Sequence, residues 1–169
     1  MDEAAAGCNP DCTLEPVLDI DVYINLVRAQ ELLSGADARF FSNWGLTPQQ
    51  YNVLRILYFA ETGKAGLPCS AIGQRLFSRV PDVTRLLDRI EQAGWVSRHR
   101  IKEDRRVVMV QLTPAGRDLV ERVDGPLKEH HIRSFAGFCR RELETLNHLL
   151  VKVLTPGEDK CRDKSDANL

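Results

Sequence analysis

The sequence predicts a mainly α chain carrying one small β-hairpin, and three observations predict it. Over most of the 169 residues, apolar side chains recur every three or four positions, the period of a helix with one buried face. Only around Trp95–Arg100 and Val107–Leu112 does a β-branched, two-residue alternation take over. Between the periodic segments lie Pro and Gly signals that mark starts and stops.

Residues 1–15 are short of apolar side chains and rich in Asp, Asn, Pro and Gly, the composition of a disordered tail. From there Ile20, Tyr23, Leu26, Val27, Leu33 and Phe40 mark a long helix within 16–45. Its apolar surface is broader than a solitary surface helix needs, so a second chain is expected against it. At Leu46-Thr47-Pro48-Gln49-Gln50 a new helix begins, with Thr47 as N-cap, Pro48 in the first helical position and Gln50 completing a capping box. Gly63 to Pro68 break the pattern; Ile72, Leu76 and Phe77 then mark a short helix.

The next helix opens at Pro81-Asp82, buries Val83, Leu86, Leu87 and Ile90 on one face, and stops at Gly94. Arg85, Asp88, Arg89 and Glu91 fall outside that face. The two strands that follow flank IKEDRR, too long and too charged for a two-residue turn, so an extended hairpin with a basic tip of Lys102, Arg105 and Arg106 is expected. Helix, turn, helix and hairpin in that order form a winged helix-turn-helix over 46–113. Leu112-Thr113-Pro114 repeats the cap-plus-Pro signal and opens the C-terminal helices of 114–155. The first carries Leu119, Val120, Val123, Leu127 and Ile132 with a bend expected at Gly125-Pro126, the last Leu143, Leu146, Leu149, Leu150 and Val153. Residues 156–169 read as a flexible tail. The expected architecture is therefore a winged helix-turn-helix flanked by N- and C-terminal dimerisation helices.

Charge is distributed unevenly along this plan. From Arg75 to Arg106 there are nine basic and five acidic residues, a net +4, whereas the whole chain is −1 and the remainder therefore −5. Basic charge concentrated on the helix and hairpin is the footprint of a nucleic-acid binder. No apolar run approaches the roughly 18 residues of a membrane span, and the N-terminus lacks the basic start and apolar core of a signal peptide, so a cytoplasmic protein is expected. GxSxG, P-loop and HExxH signatures are missing, which argues against an enzyme, and no cofactor is expected.

Three blocks in register resemble the MarR family, the multiple-antibiotic-resistance type of winged-helix regulators: LTPQQYNVLRIL at 46–57, PDVTRLLDRIEQAGWVSR at 81–98 and EDRRVVMVQLTPAG at 103–116. The resemblance spans roughly residues 20–153. It implies a homodimer on double-stranded, pseudo-palindromic operator DNA, with each recognition helix in a major groove and each wing at an adjacent minor groove. In that picture Arg79, Asp82, Thr84, Arg85 and Arg89 lie at or near the DNA, and Asp104 and Arg106 match the family's Asp-x-Arg wing. Arg85 or Thr84 would reach base edges, Arg106 the minor groove, and Asp104 would brace the hairpin. Trp95 departs from the smaller aliphatic residue usual there, and Pro68 stands at a common capping position.

The resemblance also implies a repressor released by a small aromatic or phenolic effector, for which Tyr23, Trp44 and Tyr51 are candidate pocket residues; helical spacing alone reads them as core. Of four histidines, the adjacent His130 and His131 point about 100° apart on a helix, so no metal site is expected. Cys8, Cys12, Cys69, Cys139 and Cys161 form an odd set without a CxxC pair. Oxidation of a tail thiol such as Cys12 is the alternative mode of regulation, and a protein-interaction winged helix the alternative to DNA binding.

Overall fold

The computed structural model describes residues 16–60, 66–76, 82–100 and 107–155. Its elements are α1 (Pro16–Ser42), α2 (Pro48–Ala60), β1 (Leu67–Pro68), α3 (Cys69–Arg75), α4 (Val83–Gln92), β2 (Val96–Arg100), β3 (Val108–Leu112), α5 (Pro114–Ser134) and α6 (Arg140–Leu154). The chain is mostly helical with one small antiparallel sheet. Contacts divide it into two compact units, one ending at Leu127 and one beginning at Lys128.

Local chemistry sets the boundaries. The Thr47 hydroxyl accepts from the Gln50 N–H at 3.2 Å while Gln50 Oε1 accepts from the Thr47 N–H at 2.8 Å, the reciprocal box that starts α2. Asp82 caps α4 by accepting the Arg85 N–H at 3.0 Å. At its far end Gly94 takes φ +76°, and Gly94 and Trp95 donate to the carbonyls of Glu91 and Ile90, a left-handed stop that turns the chain into β2. Thr113 Oγ1 accepts the Gly116 N–H at 3.1 Å and donates to the Gly94 carbonyl at 2.7 Å, so one hydroxyl opens α5 and ties it to the end of α4.

The sheet order is β1-β3-β2, with Val96 opposite Leu112, Arg98 opposite Val110 and Arg100 opposite Val108. The sequence reading placed only a pattern break at Gly63–Pro68; the end of that stretch instead forms β1, pairing Leu67 with Val110 and Pro68 with Met109. Pro68 is tolerated because β1 is an edge strand. The hairpin tip lies outside the described residues.

One apolar core fills the first unit. Val53, Leu54 and Leu57 of α2, Ile72 of α3, Leu86, Leu87 and Ile90 of α4, Val96 of β2 and Val110 of β3 meet there, joined by Leu119, Val120, Val123 and Leu127 of α5. The first turns of α5 thus belong to the packing that holds the helix-turn-helix. Within α5 the helix continues without a break through Pro126, just before the core residue Leu127, although Pro126 can donate no hydrogen bond to the carbonyl four residues back. Gly116 is the tightest joint: a Cβ there would sit 2.0 Å from the Trp95 carbonyl oxygen. Gly116→Ala is expected to destabilise the fold by about 1–3 kcal/mol or more. A thermal melt indistinguishable from the parent's would contradict that packing.

Two helices bury little of their apolar surface within the chain. On α1, Ile20, Tyr23, Ile24 and Val27 are exposed, and only its end at Phe40 and Phe41 packs on the core. In the second unit, α6 has no buried residue, although Leu143, Leu146, Leu150 and Val153 recur at alternating three- and four-residue steps, the spacing of a coiled-coil seam.

Candidate nucleic-acid interface

The burial of Leu86, Leu87 and Ile90 fixes which way α4 faces. Arg85 and Arg89, one turn apart, stand on the opposite, exposed side. Arg85 is held by an exposed ion pair, its Nε 3.0 Å from Asp82 Oδ2. A pair so exposed is worth about 0–1 kcal/mol and exchanges readily for another anion. Asp82, expected near DNA, thus has a local task already: it caps α4 and orients Arg85. Thr84 is also exposed, but about 100° round the helix from Arg85, on the flank that continues to Asp88 and Glu91. Of the other expected contacts, Arg79, Lys102, Asp104, Arg105 and Arg106 lie outside the described residues.

Arg98 of β2 was counted only as part of the basic footprint; it is tied into the fold instead. Its Nε and Nη2 donate to Glu91 Oε2 at 2.8 and 2.7 Å, Nη2 also donates to Asp88 Oδ1 at 2.5 Å, and its backbone N–H donates to Glu91 Oε1 at 2.9 Å. The side chain is only 23% exposed. The hydrogen bond to Glu91 leads in holding the guanidinium pKa above its ordinary value, with Asp88 adding to it and burial opposing. The sequence shows the participants, two carboxylates three residues apart on the helix and, after the Gly stop, an arginine on one row of the strand, but not that the turn brings them together.

The aromatic trio expected to line an effector pocket is not assembled within the chain. Tyr51 is 3% exposed and packs on Phe41 with ring centroids 5.0 Å apart, and Trp44 lies against Phe40. Tyr23 is 68% exposed and lies 19 residues before the end of α1, about 28 Å along the axis. Burial comes first, and the nearby Asp124 next, in raising the pKa of the Tyr51 phenol. A different concavity, of about 360 Å³, is lined by Asn52, Arg55, Ile56, Phe59 and Ala60 of α2 and Arg75 of α3. There the Arg55 guanidinium lies 5.5 Å from the Phe59 ring centre, and Asn52 Nδ2 is buried without a hydrogen-bond partner.

Burial pushes the half-buried Cys69 thiol up, away from reactivity, and Cys139 is exposed as the N-cap of α6. Cys8, Cys12 and Cys161 lie outside the described residues. Among the described residues no cluster of three or more His, Cys, Asp or Glu side chains is placed to hold a metal ion, and no helix is long and apolar enough to cross a membrane.

A capped helix presenting two arginines, mounted on one apolar core beside an antiparallel hairpin, defines a winged helix-turn-helix DNA-binding protein. The MarR family profile matches residues 46–108. The HTH-type transcriptional regulator PecS of Dickeya dadantii (strain 3937) is 34% identical over 144 residues, covering 85% of this chain and 84% of PecS. The homoprotocatechuate degradative operon repressor of Escherichia coli is 27% identical over 140 residues, covering 83% and 92%. The crystal structure of a MarR transcription factor from Planctomyces limnophilus is 35% identical, with a TM-score of 0.62 over 78% of this chain and 93% of that one. The chain belongs to the MarR family of DNA-binding transcriptional regulators.

Proposed function

We propose that this regulator is a cytoplasmic homodimeric repressor that reads two half-sites of a pseudo-palindromic operator, one with each α4 and wing. The observation that carries the reading is the polarity of α4: Leu86, Leu87 and Ile90 lock one face into the core while Arg85 and Arg89 remain outward. Unfilled apolar stripes on α1, and separately on α6, supply the surfaces on which two copies would meet. Binding to DNA upstream of its own gene tests it. Footprinting should protect a site of two halves about one helical turn apart. Absence of protection by a folded dimer would favour the protein-interaction alternative.

Release by a small organic anion is the proposed mode of control. One relative is named as the repressor of a homoprotocatechuate degradative operon. In this chain the cavity of Arg55, Arg75, Phe59 and Asn52 has the matching chemistry: two guanidinium groups for a carboxylate, a ring to stack on, and an unpartnered amide donor. A panel of benzoates and hydroxybenzoates should contain compounds that raise the parent's melting temperature and displace it from DNA, and Arg55→Met with Arg75→Met should lose both responses. Equal responses in parent and variant would place the effector elsewhere. Peroxide sensitivity lost in Cys12→Ser would instead favour redox control.

A further inference from the structure

We propose that Arg98 is a positioning residue for DNA reading: by clamping Asp88 and Glu91 of α4 to β2, it makes the recognition helix and the wing a single rigid body. The inference rests on the reading of α4 as the recognition helix. Three features carry it. First, Glu91 grips β2 at two points, its Oε1 on the Arg98 backbone N–H and its Oε2 on the guanidinium, so it fixes the strand's main chain as well as a side chain. Second, the Arg98 side chain is three-quarters covered and its guanidinium is shared between carboxylates one turn apart, which resists rolling of α4 about its axis as well as sliding along β2. Third, the clamp grips the hairpin at the middle of its paired strands, where Arg98 lies opposite the fully buried Val110 of β3.

The clamp has an electrostatic consequence as well. Asp88 and Glu91 carry two negative charges on the very helix that must approach phosphates. Pairing both to one inward guanidinium holds them to the side facing the sheet and leaves Arg85 and Arg89 to set the potential of the outer face. A residue that spends its charge in this way contributes to specificity without itself touching DNA.

The test compares the parent, Arg98→Met, Arg98→Lys and Glu91→Gln on an operator duplex and a scrambled duplex across a salt series, below the melting temperature of every variant. Arg98→Met, which removes the guanidinium, and Glu91→Gln, which removes the charge that grips it, should each lower the operator-to-scrambled affinity ratio by about tenfold, with the salt slope unchanged. Arg98→Lys, which restores a charge but not the fork, should recover part of the ratio. A ratio equal to the parent's in folded Arg98→Met would overturn the proposal. So would a loss shared equally by both duplexes with the slope reduced by about one, since that marks a phosphate contact. A parent that prefers no duplex would overturn the DNA-reading assignment itself, an outcome separable from either.

Discussion

Replacing Ile20 and Ile24 together by Asp is expected to convert the protein from twice 19.1 kDa to 19.1 kDa in solution and to weaken operator binding by about 10²–10⁴-fold. Ile20 is 59% and Ile24 37% exposed, and neither belongs to the core of the first unit, so their loss should leave each chain folded. What they supply in the proposed dimer is connection. Once one recognition helix is bound, its partner is held near the second half-site at an effective concentration of order millimolar, and a monomer forfeits that advantage. Light scattering reads the mass, and anisotropy on an operator duplex reads the affinity. A variant that stays dimeric would move the interface off this face of α1. A monomer that binds the operator as tightly as the parent would remove dimerisation from the mechanism.

Arg85→Ala is expected to cost about 1–3 kcal/mol on the operator and to relax the preference at one position of each half-site. The expectation follows from its placement in the first turn of α4, opposite the buried face and tethered by an exposed carboxylate. Removing it leaves the cap intact, because Asp82 accepts from the backbone N–H of residue 85 whatever its side chain. Arg106→Ala, at the residue proposed to make a minor-groove or phosphate contact, should weaken all sequences alike and shallow the salt dependence by about one counterion. Unchanged affinity in both folded variants would contradict reading by helix and wing.

The features legible in the sequence were those decided within a few residues. The Thr47 box, the Gly94 stop and the Thr113 cap each depend on neighbours within one turn, and each stands where the spacing indicated, while Asp82, expected in the first turn of its helix, stands one step earlier as the cap. Features decided across the chain were not legible. Two residues at Leu67–Pro68 become a strand only because β3 is there to pair with them. Helical spacing gave Tyr51 and Tyr23 the same standing, although one ends in the core and the other on an open face. Arg98 was legible as a charge but not as a clamp, since its partners approach it only after the turn at Gly94 brings β2 back along α4.

Selection of bound duplexes from a randomised library by the purified protein tests the central claim most directly. The account predicts enrichment of an inverted repeat whose halves are centred about 10 bp apart, bound by one dimer, with the preference at one position of each half lost in Arg85→Ala. A library that remains random after selection with folded, dimeric protein would contradict it.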